Sequence, residues 1–370
     1  MKRYACGAVL LAILATTTTA AELGPDPKEV QAVVDKAAAY LKSSQGADGS
    51  FSPRLAGPGV SAVVAAGLLR NGFAPDDPVV AKTLAYLEKK VQKDGGVYDK
   101  FLANYTTSVA IMAFAEANTK GKYDALLKKA TAFLRSMQFD DSKVESKDDA
   151  KYGGSGYDGK SRPDLSNTQY FLGALEAAGV GKDDPAVKRA LIFVSRCQNL
   201  PSPEHNDRPF AKKTTEDDKG GLVYNPLAED SKRDKTPQGG LRSAGAMTYG
   251  GLKSFLYAGV SKDDKRVNAA VGWIRRHYTL DENPGMRQAG LFYYYHTFGK
   301  AMKAYGEDHF EDTKKTKHDW RKELFEALKK RQRANGSFIN AGERAFGEAD
   351  PNLATAFALL ALSYTRVPAK

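Results

Sequence analysis

The stretch "SSQGADGSF", Ser43–Phe51, ends a helix, turns tightly on glycine and plugs the turn with an aromatic ring. Variants of it return as "KVQKDGGVY" at Lys90–Tyr98 and "KRQRANGSF" at Lys330–Phe338. A helix end copied along a chain is the mark of a repeat architecture, and it decides the fold before any single residue suggests a function.

Working outward, each copy opens on a helix with apolar residues at helical spacing and a closing Gln. These are "VDKAAAYLKSSQ" to Gln45, "VAKTLAYLEKKVQ" to Gln92, "LLKKATAFLRSMQ" to Gln138, "AVKRALIFVSRCQ" to Gln198 and "WRKELFEALKKRQ" to Gln332. The fifth in order, "RVNAAVGWIRRHY", has Tyr278 at the Gln position. A Gly-x-aromatic follows each: Gly49–Phe51, Gly96–Tyr98, Gly290–Phe292 and Gly336–Phe338, with one extra residue in Gly154–Tyr157 and Gly221–Tyr224. A second helix then begins, richer in Ala and Gly, as in "GVSAVVAAGLLRNG" and "NLATAFALLALSY". The first set reads as a charged outer layer and the second as a helix buried on most sides. Three returns share a hinge, "FAPDDPVV", "VGKDDPAV" and "VSKDDKRV", in which Asp caps the next outer helix; in the first two, Pro fills its first turn.

Six such hairpins predict an all-α fold, an α/α toroid (α6/α6 barrel) with inner apolar and outer polar helices. The pattern resembles the repeat family of squalene–hopene cyclases, terpenoid cyclases and protein prenyltransferase β-subunits, over nearly all of the chain after its first 21 residues. In that family a Gln and a later Gly-x-Trp tie an outer helix end to the following turn. Here five of six Gln are kept and Phe or Tyr stands where the cyclases prefer Trp.

The N-terminus stands apart. Lys2 and Arg3 precede "YACGAVLLAILA", then "TTTT" and Ala20–Ala21, which is the layout of a secretory signal. The expectation is a signal at 1–21, a single toroid domain at 22–370, and an exported protein, periplasmic or secreted, with no transmembrane span. Cys6 lies in the signal, which leaves Cys197 alone and excludes an internal disulfide or a thiolate-rich metal site in the mature chain. The net charge is +11, or 11 − 2 = +9 without Lys2 and Arg3. Basic and acidic residues are interleaved and no basic stripe carries aromatics, so nucleic acid is not an expected partner.

In a closed ring the inner helices aim their N-termini at one mouth, which suits a polar or anionic ligand. Ser61, Thr107, Thr168, Thr248, Thr297 and Thr355 fall in register near those starts, where hydroxyls most often bond the backbone. The third inner helix opens "SRPDLSNTQYFLGAL". Squalene–hopene cyclases carry Pro-Asp-x-Asp-Asp-Thr-Ala at such a place, and the resemblance implies that the middle Asp protonates an alkene. This sequence keeps Pro163 and Asp164 but has Ser166 and Asn167 at the two later acidic positions.

The fifth inner helix reads "GLFYYYHTFGKAM", and Tyr295-His296-Thr297 resembles the zinc-binding helix start of prenyltransferases. No partner Asp and Cys accompany it, so neither a metal nor another cofactor is expected. The candidate site is therefore His296 and Asp164 as catalytic groups, with Arg162, Asn167, Gln169, Tyr249, Tyr294 and Tyr105 for substrate. Three long charged loops, opening at Phe139, Asn199 and Asn225, are candidate lids at the same mouth. The function this supports is an isoprenoid or other lipid bound in the ring, with catalysis open. The alternatives are a secreted polysaccharide lyase acting on acidic sugars and a non-catalytic binding or scaffold protein.

Overall fold

A computed structural model describes residues 23–228, 234–343 and 345–367. The signal expected at 1–21 lies outside these residues, as does Cys6. Among the described residues, twelve helices of ten or more residues alternate between two concentric layers.

The outer helices are α1 (Pro27–Ser44), α3 (Pro78–Glu88), α5 (Asp124–Met137), α7 (Pro185–Arg196), α9 (Lys265–Arg276) and α11 (Trp320–Lys329). The inner helices are α2 (Gly59–Arg70), α4 (Ala103–Glu116), α6 (Leu165–Ala177), α8 (Gly245–Tyr257), α10 (Leu291–Tyr305) and α12 (Pro351–Leu362). A short antiparallel pair, β1 (Phe310–Glu311) and β2 (Lys317–His318), sits between α10 and α11. Each inner helix packs on the next, and α12 packs on both α10 and α2, so the inner layer is a closed ring. Each outer helix leans on the inner helix before it, and α1 leans on α12. The predicted toroid is therefore the observed one.

Local chemistry explains the elements. Asp26, Asp77, Asp184 and Asp264 each accept the N–H two residues on, capping α1, α3, α7 and α9. The outer helices bury one stripe and keep most of their Lys and Glu on the other, while Arg196, Arg266 and Arg321 are buried. By contrast, Gly59–Leu68 of α2 and Leu353–Leu362 of α12 are buried without a break.

The repeated Gln is a clasp between hairpins. Its Nε2 donates to a carbonyl in the next outer helix: Gln45 to Val79 O (2.9 Å), Gln138 to Ala186 O (2.9 Å), Gln198 to Arg266 O (2.8 Å) and Gln332 to Val33 O (2.8 Å). The last of these joins the C-terminal repeat to α1. Gln92 departs from the rule and donates within its own turn, to Tyr98 O at 2.8 Å.

The glycine after the clasp has positive φ and lies against the next outer helix; a Cβ on Gly153 would sit 1.9 Å from Arg189 O, and one on Gly336 2.1 Å from Lys36 O. This corrects the register read from the sequence. The hinge glycines of the second, third and fourth repeats are Gly95, Gly153 and Gly220, so Val97, Ser155 and Leu222 occupy the position of Phe51. The matching hydroxyls confirm it: Ser61, Thr107, Thr168, Thr248 and Thr355 accept the N–H of Phe51, Val97, Ser155, Leu222 and Phe338 at 2.9–3.0 Å. In the fifth repeat Gly290 is instead the N-cap of α10, and Thr297 bonds Tyr294 O within that helix.

Gln138 is buried, donates to Gly153 O and Ala186 O, and accepts from Arg189 Nε. Gln138→Ala leaves the buried Gly153 O without a donor, also removes the bonds to Ala186 O and from Arg189 Nε, and should cost about 2–5 kcal/mol in urea unfolding. Gln92→Ala, which severs no clasp between hairpins, should cost less than about 1.5 kcal/mol. Equal losses would refute the clasp.

Candidate functional site

At the N-terminal mouth of the ring lies a cavity of about 290 Å³. Its walls come from the first two turns of four inner helices. Tyr105 is from α4, Ser166, Asn167 and Tyr170 from α6, Tyr293 from α10, and Leu353 and Phe357 from α12. Tyr157, from the third repeat's loop, and Phe346, from the sixth, complete the rim.

The rings form one connected cluster. Tyr105 meets Tyr170 edge-on at 5.0 Å between centroids, Tyr170 stacks on Tyr293 at 5.9 Å, and Tyr293 tilts against Phe357 at 5.8 Å. The Ser166 hydroxyl lies 3.0 Å from the Tyr293 hydroxyl, which also receives a short hydrogen bond from Gln169 Nε2. Burial pushes the Tyr105, Tyr170 and Tyr293 phenols up, so they stay neutral at physiological pH.

The sequence leads one to expect a mouth suited to a polar or anionic ligand; at four of the helix starts one N–H is already taken by a partner from a loop. Asn104 N donates to Tyr157 O, Leu165 N to Tyr224 O, and Gly245 N to Pro284 O, at 2.8–3.0 Å. Tyr293 N donates to the buried carboxylate of Glu348 at 2.8 Å. Each of these partners comes from the repeat after the helix it caps. Burial raises the pKa of Glu348 against the pull of the donors from Tyr293 and Asn340.

The predicted site residues divide. Tyr105 and Asn167 line the cavity, and Gln169 reaches its Tyr293. Asp164 is the N-cap of α6: its Oδ1 accepts Asn167 N and its Oδ2 accepts Asn167 Nδ2, both at 2.8 Å. Arg162 is exposed on the preceding loop and is not part of the cavity wall.

Tyr249 and Tyr294 face away from the cavity. Tyr249 packs against Tyr294 and Phe298, and the Tyr294 hydroxyl donates to Thr279 O at 2.7 Å, in the wall beside α11. Of the three consecutive tyrosines it is Tyr293 that turns inward, since neighbouring positions on a helix cannot share a face. His296 lies one turn deeper, stacked near Phe357 and Tyr364 at 6.2 and 5.9 Å, with Nδ1 unpartnered. Burial, then Lys300 and Arg70, hold its pKa well below the ordinary value, so it is neutral. No hydrogen bond or ion pair links His296 to Asp164.

Sequence reasoning missed Tyr157, Tyr170 and Phe357. The i, i+4 pairs Ser166–Tyr170 and Leu353–Phe357 carried the signal for the last two. Among the described residues of the long loops, only Tyr157 reaches the cavity wall. The third repeat's loop is instead pinned outside by Arg196, which donates to Lys147 O and Asp149 O. Among the described residues no group of three or more His, Cys, Asp and Glu is placed to hold a metal, and Cys197 is buried at the end of α7.

Burial raises Asp164 from 3.8 to about 6, opposed by its hydrogen bonds to Asn167. A carboxyl whose pKa is higher when folded makes the folded state bind more protons between pH 4 and 6. Stability therefore falls as pH rises through that window, by at most about 1.4 kcal/mol for each unit crossed. Asp164→Asn keeps an amide oxygen at the cap and should remove this component from the urea midpoint measured against pH. An unchanged profile would show that Asp164 titrates normally.

The family described as squalene-hopene cyclase C-terminal domain matches residues 54–211, less than half of the chain. No curated protein matches the sequence. Solved structures of similar shape include the type II terpene cyclase MstE from Scytonema in its apo form, at 12% identity and TM-score 0.48, covering 91% of this chain and 98% of that one. A variant of MstE in complex with merosterolic acid A as product aligns at 12% identity and TM-score 0.47, over 91% of this chain and 97% of that one.

Proposed function

We propose that this terpenoid cyclase-like ring binds an isoprenoid or another small lipid in the aromatic cavity, without the alkene-protonating step of squalene–hopene cyclases. The observation that carries the reading is the cavity wall itself. Aromatic rings from four inner helices and two loops enclose a space near the lower end of the roughly 300–1,000 Å³ typical of ligand pockets. Such walls reward an apolar, unsaturated ligand through area and ring contacts. The volume favours a short isoprenoid over a long polyisoprenoid chain.

The site's chemistry supports binding over protonation. Protonating an alkene needs a strong acid in a dry site, and the position that resemblance assigns to that acid is Ser166, whose hydroxyl is engaged with Tyr293. Asp164 is committed to capping α6. The tyrosine hydroxyls and Ser166 give one polar end to an otherwise apolar space, which suits an alcohol or ether headgroup.

The test is thermal unfolding with geraniol, farnesol and an acidic oligosaccharide. A ligand at a hundred times its Kd adds about 2.7 kcal/mol, a readable shift in Tm. Farnesol or geraniol should stabilise the protein, and Ser166→Phe, which fills the cavity from a half-buried position, should abolish the shift while leaving the fold intact. A shift with the oligosaccharide alone would move the reading to a lyase, and silence throughout would favour a scaffold.

Export belongs to the same proposal, on the strength of the basic head, apolar run and small residues at the N-terminus. Among the described residues no helix is long and apolar enough to cross a membrane. Expressed at full length in a bacterium, the protein recovered from the periplasm or medium should begin at Ala21 or Glu22 by N-terminal sequencing. An uncleaved chain confined to the cytoplasm would exclude the signal.

A further inference from the structure

The opposite mouth of the ring, where the inner helices end, has a different character. Each inner helix delivers a polar side chain there: Arg70 from α2, Glu116 from α4, Glu176 from α6, Lys253 from α8, Lys300 and Lys303 from α10, and Tyr364 just past α12. They surround an open cavity of about 620 Å³.

Most of these charges are paired. Arg70 Nε meets Glu116 Oε1 at 2.7 Å, and a second guanidinium nitrogen donates to the Tyr364 hydroxyl at 2.7 Å. Lys253, which is buried, forms a close ion pair with Glu176. Lys303 is exposed, with its ammonium 5.9 Å from the centroid of the Tyr364 ring.

Lys300 is the exception. It is half-buried, its Nζ lies over Gly173, and among the described residues it makes neither a hydrogen bond nor an ion pair. Lysines near helix ends often complement the free carbonyls of the last turn. Lys300 is outside that explanation, because α10 continues to Tyr305 and Lys300 donates to no carbonyl. Burial, then Lys253 and Arg70, push its pKa well below the ordinary value, with Glu176 opposing. His296, one turn back on α10, is neutral and adds no negative charge. A lysine half-buried among other cations, in an open cavity whose two carboxylates are already spent on Arg70 and Lys253, lacks a counter-charge to hold its proton.

We propose that this mouth binds a small oxyanion of the carboxylate or phosphate type, with Lys300 as its central ligand and Lys303 at its rim. An oxyanion there would give Lys300 charge-assisted hydrogen bonds and offset its repulsion by Lys253 and Arg70. The site lies at the other end of the ring from the aromatic cavity, so it is independent of lipid binding there.

The test is isothermal titration of the protein with inorganic phosphate and with citrate, alongside thermal unfolding against sodium chloride at equal ionic strength. One or both oxyanions should bind saturably and raise Tm beyond the chloride control; which of them does so identifies the headgroup chemistry. Lys300→Met should raise Tm in oxyanion-free buffer, by removing a half-buried amine that has no partner, and weaken oxyanion binding about tenfold or more, the scale of one charge-assisted hydrogen bond. Lys303→Ala, at an exposed position, should weaken it less. The proposal is overturned if neither oxyanion exceeds the chloride control, or if Lys300→Met binds as tightly as wild type. Should Lys300→Met fail to fold, unchanged affinity in Lys303→Ala overturns it. The farnesol shift should survive in both variants, which separates failure here from failure at the aromatic mouth.

Discussion

Everything in this molecule hangs on closing the inner ring. α2 and α12 are each buried without interruption, so neither can remain at an open edge; each needs the other as a wall. Small residues make the seam possible. A Cβ on Gly67 of α2 would stand 3.1 Å from Leu359 Cβ and 3.2 Å from Ala356 O, and Asn71 Nδ2 donates across to Leu359 O at 2.8 Å. On the outside the Gln332 clasp to Val33 O fastens the same seam. Without closure the axis of the ring would have no fixed neighbours, and neither mouth would have a shape.

Closure also gives the two mouths opposite chemistry. Helix macrodipoles alone would make the N-terminal mouth attractive to anions and the C-terminal mouth to cations. The structure works against both tendencies with side chains and loops. Carbonyls of the following repeats, and the carboxylate of Glu348, take one N–H at each of four helix starts at the first mouth, where the walls are aromatic. At the second mouth lysines and Arg70 outnumber the carboxylates. Between them the axis is filled by Tyr170, Tyr293, Phe357 and His296, so the ring holds two separate compartments rather than one channel.

The architecture was legible because it is written six times. A Gln at a helix end, a hinge glycine and an Asp before the next outer helix repeat at positions that only a hairpin ring satisfies together. The register of the glycines was less legible: "DGG" in the second repeat and "YGG" in the third offer two adjacent glycines, and only the backbone shows that Gly95 and Gly153 carry positive φ. The site was half legible. Asn167 and Gln169 could be placed from the motif that opens the third inner helix, and Tyr105 from its place at the start of the second. Tyr249 and Tyr294 could not, because in helices buried all round the apolar pattern no longer says which side is the axis. Arg162 failed for another reason: its backbone precedes the helix, so helical phase said nothing about it.

The seam between α12 and its partners α1 and α2 joins residues some 300 apart in sequence, as the Gln332–Val33 and Asn71–Leu359 bonds record. Contacts of that separation form late, after the loop-closure entropy of nearly the whole chain has been met. Until the last hairpin is in place, α2 presents an uncovered apolar flank that neighbouring hairpins cannot shield. A chain stopped before α12 would thus be a sticky open arc rather than a smaller stable protein. In this respect the ring differs from an open solenoid, which can lose a terminal repeat and persist: its cooperativity is that of a belt, which holds only when buckled.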